Sequence, residues 1–522
     1  ADLEERGDRG KTALSYAALN GETRCVELLI ATRANINARD NTGVTALISA
    51  AAAGHTDSVE TLVRANADIE ARSNNGSTAL IMAAAKGHSE CVQLLIDLNA
   101  DVHATDIVGY TALLSAAQGS ALNAAPVAND NAMDDVDRAA PLPIAANGPR
   151  DCLQILIDAN ANIEATGHDG MNALLWVAYQ GNNQCLRYLI DVGANVNARD
   201  MDGKTPLTFA AREGHESCVQ LLIDAKADIE ARDIDNFTAL MSAGEGNSVE
   251  CLQRLIDARA NVAARNIDGL TVLILAAKNG SAECLQRLIA MNADVHAQDN
   301  LQVTALMSAA SNGHIDCVHL LLDANAELEV RDNDGDTALH KAASNGHAEC
   351  LSLLITARAD IEAVSSEDGM TPLICSACEG HTECLRLLIA AGADIEATSG
   401  DGATALMMAA EFHNTECMSL LLDANANIHA TNDDGNNALI AAASEGHAEG
   451  VRLLLDLNAD IHVANAEGKT ALMRAAEGGH DACVQLLMDA MIDRQRKRRR
   501  TSAASASCRS DPSLQRNKRS RK

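Results

Sequence analysis

Aromatic side chains are nearly missing from this chain: Phe, Tyr and Trp together supply eight of 522 residues, and proline only seven. So few rings cannot fill a thick hydrophobic centre. Any core must be thin and built from small and aliphatic side chains, as in stacked short helices. Large β-sandwiches and deep pockets for a cofactor or small-molecule substrate are disfavoured on that ground. No run approaches the ~18 apolar residues of a membrane span, and the charged opening, Ala1 to Gly10, has no apolar stretch of a secretory signal. These absences point to a soluble chain without a membrane partner. Fifteen cysteines are spread through a long sequence of net charge −31. Free thiols in a reducing compartment, nuclear or cytoplasmic, fit that pattern better than a disulfide scaffold.

What the sequence has in abundance is repetition. Thr-Ala-Leu or a close variant starts at Thr12, Thr45, Thr78, Thr111, Asn172, Thr205, Thr238, Thr271, Thr304, Thr337, Thr371, Thr404, Asn437 and Thr470. The step is 33 residues except for 34 after Thr337 and 61 after Thr111. Each unit reads alike. A Gly-containing turn such as Asp202-Gly203 precedes a Thr or Asn that caps a short Ala-rich helix. A Gly-His breaks that helix, and a second, more apolar one follows, for example Cys91-Val92-Gln93-Leu94-Leu95-Ile96. No unit can bury its apolar face alone, so stability must come from stacking.

At these residues the sequence resembles the ankyrin-repeat family, in its period, its D-x-x-G-x-T-x-L-x-x-A-A-x-x-G-H pattern and its Leu-Leu-Ile helix, over residues 1–490. The resemblance implies a mainly α solenoid of about 15 helix-turn-helix units with short β-hairpin-like turns. The family's Thr-Pro-Leu-His tetrapeptide appears with Pro only at Pro206 and Pro372, and with His only at His340. The Thr-His hydrogen-bond network typical of the family is therefore mostly absent.

Counting back one period from Asn172 reaches Ala139 and puts Gly148 and Cys152 in register, which suggests a fifteenth, decayed unit at about 111–150. Within it Gln118 to Asp137 lacks an apolar second helix, and four prolines fall between Pro126 and Pro149, as in a bulging loop. Ala1 to Arg6 matches the end of a unit, so the chain reads as the C-terminal part of something longer. From Met491 to Lys522 there are twelve Lys or Arg and two Asp, which leaves −41 on residues 1–490. Such a tail, 491–522, is expected to be disordered. Its clusters, Arg494, Arg496, Lys497, Arg498, Arg499 and Arg500, then Arg516, Lys518, Arg519, Arg521 and Lys522, look like a bipartite nuclear-import signal. Nucleic-acid contact and simple neutralisation of the acidic stack are the other readings.

Motifs that imitate catalytic chemistry fail on spacing. Gly10-Lys11-Thr12, Gly203-Lys204-Thr205 and Gly468-Lys469-Thr470 lack the upstream Gly of a phosphate loop, with Glu5, Ala198 and Val463 in its place. In Cys375-x-x-Cys378 with His381 and Cys384, the last two are generic repeat positions, so the set reads as helix filler rather than a zinc site. Twelve cysteines from Cys25 to Cys483 share one position of the second helix. Equivalent atoms of successive units sit roughly 10 Å apart, too far for a disulfide, so they read as small buried side chains. No cofactor, metal or catalytic residue is expected.

A stacked array offers its turn tips and first helices as a continuous concave surface for a protein partner. The side chains expected to contact a partner are Tyr110, Met171, Phe237, Leu270 and Val303 just before the anchor, Met201, Ile234 and Ile267 three residues earlier, and Trp176, Tyr179, Phe209 and Leu275 on first helices. Five of eight aromatics lie within residues 176–237, where uniform placement puts about one. Aromatic enrichment marks hot spots, although Trp176 and Phe209 could instead fill gaps between helices. Tyr188 is set aside because it replaces a buried Leu. The acidic stack favours proteins with basic patches and disfavours nucleic acid, while the tail suits an import receptor. The function expected is a non-catalytic interaction scaffold. The alternatives are the substrate-recognition part of a larger enzyme, such as a ubiquitin ligase or kinase, and a chromatin factor whose tail binds DNA.

Overall fold

A computed structural model describes residues 3–119, 148–366 and 368–509. Among these residues 28 α-helices pair into fourteen hairpins. They fall into two bodies, Ala1–Ile267 and Asp268–Lys522, with seven hairpins in each. Strand structure among the described residues is confined to isolated bridges across a turn, such as Thr105 with Thr111.

The first helix of each hairpin begins where a hydroxyl or amide oxygen takes an otherwise unpaired backbone N–H. Thr45 Oγ1 accepts from Ile48 N at 3.3 Å and Asn172 Oδ1 from Leu175 N at 3.0 Å. In Ala46–Ala52 every residue is buried, because Ala and Ser let a neighbouring helix approach on both sides. The second helix is one-sided. Ser89–Asp97 buries Cys91, Val92 and Leu95, the spacing of an amphipathic face. Each such Leu stabilises by about 1.5–3 kcal/mol, so aliphatic side chains suffice and rings are not needed.

Successive hairpins are joined at three levels. At the tips, the backbone N–H of Asn74 donates to Thr42 O at 2.8 Å and that of Ile107 to Asn75 O at 3.0 Å. Behind the tips, Glu70 accepts from Asp101 N at 2.8 Å, and Arg199 donates to Arg232 O at 2.6 Å. At the far end of the first helix, His55 Nε2 bonds Leu19 O and His88 Nε2 bonds Ala52 O, both at 3.1 Å. The second body repeats this link with His347 to Ser311 O and His480 to Ser444 O. The Gly of the Gly-His pair is required twice over. Gly54 has φ of 79°, and a Cβ there would stand 2.6 Å from Nδ1 of His88. His340 alone carries the Thr-His pattern anticipated from the tetrapeptide: its Nδ1 faces Thr337 N at 3.2 Å and Oγ1 at 2.9 Å, and its Nε2 meets Met370 O at 3.1 Å.

Two readings of the sequence are corrected. The decayed extra unit is not present between Thr111 and Asn172. His168 N donates to Val108 O at 2.9 Å, the same link that joins every adjacent pair of tips, and Gln180 Nε2 reaches Gln118 O at 3.0 Å. The two units are therefore direct neighbours, and Gly148–Asp158 is the second helix belonging to Ala112–Gln118. The extra residues enter between the two helices of one hairpin. Counting back one period found the register of Cys152 correctly and assigned it the wrong first helix. Residues 120–147, including Ala139 to Leu142, lie outside the described residues. The second correction concerns the tail. The last helix runs Asp481–Arg509, well past Met491 where disorder was expected. Other second helices stop at a left-handed residue such as Asn66 or Asn99. Here helix-favouring Ala, Met, Arg, Gln and Lys follow without a Gly or Pro, and Arg494 donates to Ala459 O at 2.7 Å, tying the extension to the preceding unit.

Gly54→Ala will strain the backbone and press on His88, at a cost of about 1–3 kcal/mol. Hydrogen exchange should show protection lost over residues 46–64 and 79–97 and retained in distant hairpins; uniform or unchanged protection would contradict the coupling drawn above.

Candidate functional site

The tips of the N-terminal body present a row of apolar side chains at one repeat position. Each tip is closed by an acceptor that fixes its turn: Asp106 Oδ1 takes the N–H groups of Val108 and Tyr110, and Asp233 Oδ1 those of Asp235 and Phe237. With the turn fixed from within, the tip side chain is left to solvent. Met201 is 71% exposed, Ile234 64% and Ile267 51%, as their positions suggested. Ile107, 64% exposed, occupies the same position and was missed, together with the adjoining Val108. The signal was available, since Ile107 stands four residues before Thr111 just as Met201 stands four before Thr205.

Behind the tips, four rings form a chain of edge-to-face contacts. Tyr110 and Trp176 have centroids 6.3 Å apart, Trp176 and Tyr179 5.9 Å, and Tyr179 and Phe209 5.9 Å. Trp176 and Phe209 are half-buried against Met171, Leu175 and Ala198, whereas Tyr179 is exposed. The inner edges of Trp176 and Phe209 thus fill space on the stack, as the packing reading has it. The Tyr110 hydroxyl donates to Asp169 Oδ2 at 2.7 Å. Burial, then this carboxylate, pushes its pKa well above the ordinary tyrosine value. The indole Nε1 of Trp176 is buried, with the Tyr110 hydroxyl as its nearby acceptor but not in full hydrogen-bond geometry.

Other expected contact residues do not join this array. Met171 is buried and folds beneath the rings. Phe237 is half-buried at its own tip. In the C-terminal body Leu275 is buried, a correction to its expected exposure. It belongs to Val272–Lys278, whose first six residues are all buried, and the corresponding position of the next unit is the small Ser308. Leu270 and Val303 in that body are half-buried, and the exposed side chain near them is Leu301. In the basic tail Arg496 pairs with Asp493 at 3.6 Å. The side chains of Lys497, Arg498, Arg499 and Arg500, and the whole of Arg516, Lys518, Arg519, Arg521 and Lys522, lie outside the described residues.

The imitators of catalytic motifs are occupied with structure. Thr12 and Thr205 cap helices through Ser15 N and Thr208 N. His381 bonds Ser344 O at 2.9 Å, and Cys384 contacts Ala342 O. No cluster with metal-ligand geometry occurs among the described residues, and no described helix is long and apolar enough to cross a membrane. Burial raises the thiols of Cys91 and Cys152 to about 12 and that of Cys218 to about 11, the reverse of what a nucleophile needs.

A family model described as ankyrin repeats matches residues 1–73, 65–129, 141–233, 240–332, 306–399 and 392–465, and a single-repeat ankyrin model matches 467–497. The chain belongs to the ankyrin-repeat family, whose domains are generally protein-interaction modules and typically non-catalytic. No curated protein matches it.

The buried thiols make stability fall with rising pH. Their folded pKa values lie above the unfolded value of ~8.5, so the unfolded state loses protons first. Between about pH 9 and 11 each buried thiol removes up to ~1.4 kcal/mol per pH unit. Urea unfolding at pH 8 and pH 10 will show the drop, and it shrinks when Cys91 and Cys152 are replaced by Ala; a pH-independent midpoint would refute the assignment. At pH 8 in the native state Cys25, which is exposed, reacts with a thiol reagent ahead of the buried column.

Proposed function

We propose that this chain is a non-catalytic scaffold that grips protein partners through the tips and first helices of its N-terminal body. The observation that carries this reading is the edge-to-face array Tyr110–Trp176–Tyr179–Phe209 standing behind the exposed Ile107, Met201, Ile234 and Ile267. Stacking alone does not account for it. Elsewhere the repeat places Ser49, Ser115 or Ser242 where Trp176 stands, so stacking does not require a ring there. Rigid rings supply contact area at little entropic cost, and a surrounding row of apolar tips excludes water from them.

Partners with basic patches fit best. Residues 1–490 carry −41, and Asp169, Asp202 and Asp235 recur at the tips beside the apolar residues, which steers basic surfaces toward the face and repels nucleic acid. The basic clusters beyond Arg494 suit an import receptor, and with it a nuclear location. Arg494 itself contributes to the stack through Ala459, which leaves Arg496 to Arg500 and Arg516 to Lys522 as the two basic runs.

Trp176 and Phe209 are half-buried, so replacing them would confound binding with folding. The exposed triple variant Tyr179→Ala, Met201→Asp, Ile234→Asp avoids this. In quantitative affinity capture beside wild type, partners that use the face will drop by about tenfold or more, while a Gln93→Ala control on a second helix retains them. Equal recovery of every partner by the folded triple variant would sink the proposal.

A further inference from the structure

One joint of the C-terminal body departs from the rest. His413 stands one period from Gly380 and from Gly446, with the same left-handed backbone at φ of 64°. A Cβ at Gly346 or Gly446 would stand 2.5 Å from Nδ1 of the following unit's His381 or His480. The side chain of His413 therefore takes the space in which the next imidazole ordinarily lies, and His447 has turned. Where His347, His381 and His480 bond a carbonyl of the preceding hairpin through Nε2, His447 uses Nδ1, at 3.0 Å from Ala410 O, and its Nε2 meets Thr415 Oγ1 at 2.8 Å. The turned ring needs room, and Gly450 provides it: a Cβ there would stand 2.6 Å from His447 Nδ1. Twelve units carry Cys at this position and one carries Ser58. Two exchanges that each break the repeat thus answer one another.

The result is a face-to-face imidazole pair, with ring centroids 4.8 Å apart and planes 19° apart. His413 is exposed and bonds Glu445 O through Nε2 at 3.1 Å, whereas His447 is 2% exposed. Ala410 O can only accept, so Nδ1 of His447 carries the proton in the neutral ring and Nε2 accepts from the Thr415 hydroxyl. A second proton must enter at Nε2, turn that hydroxyl round, and place a cation in a closed site against another imidazole. Burial holds His447 below the ordinary imidazole value, the bond to Ala410 O opposes this, and His413 adds to it. At this end of the hairpins the other ionisable groups on the packed helices are Glu411, Glu416 and Cys417 on one side and Glu445 and Glu449 on the other. The next hairpin adds Arg474, Glu477, His480 and Asp481. Of these, Glu449 favours the charge on His447. Ordinary joints differ in kind: His480 bonds Ser444 O through Nε2, a bond that an imidazolium makes as readily as the neutral ring.

We propose that the His413–His447 pair is an acid-operated latch: as pH falls, His447 takes a second proton and leaves its site, and the joint between hairpins 405–423 and 438–456 opens while the ordinary joints stay closed. The opened imidazole binds its proton near pH ~6.5 and the closed one only at lower pH, so the joint is fully stable above about pH 6.5 and weakens below it. The bonds released, to Ala410 O, Thr415 Oγ1 and Glu445 O, all run between the two hairpins, and each hairpin keeps its own helix packing. His340, the other buried imidazole of this body, is also held below the ordinary value by burial, but Asp336 beside it favours its charge and no second imidazole is stacked on it.

The test is hydrogen exchange on the full chain at about pH 7.5 and about pH 5.5, with labelling times scaled to the intrinsic exchange rate. Protection over 405–423 and 438–456 is expected to fall several-fold, up to about tenfold, at the lower pH, while 282–323 of the same body changes little. The double variant His413→Gly, Gly450→Cys restores the residues of the ordinary repeat, so His447 returns to the ordinary bond and the acid loss disappears. His447→Asn places at this joint the amide with which Asn414 holds Ala377 O; it removes the titrating group and abolishes the loss as well. Three outcomes overturn the proposal: protection over 405–456 that does not depend on pH in wild type, an acid loss that persists unchanged in the double variant or in His447→Asn, or a loss spread evenly over the body or centred on 338–356, which would assign it to His340 and not to the pair.

Discussion

The bond to a carbonyl of the preceding hairpin from the residue that opens a second helix, a Gly-His imidazole in eight hairpins and Ser248 or Asn414 in others, is the constraint on which the stack depends. A seven-residue helix and a nine-residue helix are each too short to be stable alone, and the hairpin they form buries only one side of each. Neighbours must therefore be held in one register before apolar burial can accumulate. The imidazole of His88 does this from one end through Ala52 O, and the backbone link from Asn74 to Thr42 does it from the other. Between these two clamps the alanines of Ala46–Ala52 and Ala79–Ala85 are brought face to face. Gly54 completes the joint, since any side chain there would occupy the space of the imidazole.

This division of labour decides which positions are free to vary. Caps, glycines, histidines, alanines and the buried Cys and Leu of the second helices are consumed by stacking. What remains is the tip residue four before each anchor, the outer side of each first helix, and the solvent side of each second helix. Among the described residues the Gly-His imidazoles and the column of buried thiols are spent in the joints. Recognition over a broad surface is the chemistry such an array is suited to.

The period alone made the hairpins legible, because anchor and second helix recur together fourteen times, with Gly-His between them in eight units. Two kinds of feature were not legible. The decayed unit failed because second-helix register is shared by all units; Cys152 looks the same whether its partner helix lies just upstream or across an insertion, and only the contact between His168 and Val108 tells them apart. Leu275 and Met171 failed because exposure depends on the neighbour. Trp176 and Phe209 were found by composition, but composition could not say that Met171 would be the floor beneath them.

The insertion shows why such a stack can acquire surfaces without losing stability. Had 28 residues entered at a tip, the ladder bond from His168 to Val108 would have been broken and with it one of the two clamps. Placed between Gln118 and Gly148, they interrupt neither the tip ladder nor the helix packing. The cost is loop closure, which grows only as the logarithm of length, at about 0.6 kcal/mol per doubling. It does remove a Gly-His clamp, because the unit that would carry one has Gly148 and no histidine at that place. The following unit also lacks the histidine, with Asn182 at that place, and is joined to this one by Gln180 Nε2 reaching Gln118 O. The aromatic array begins at Tyr110, the tip of this one modified hairpin, where the repeat is least bound by its own regularity and where side chains foreign to it can be accommodated.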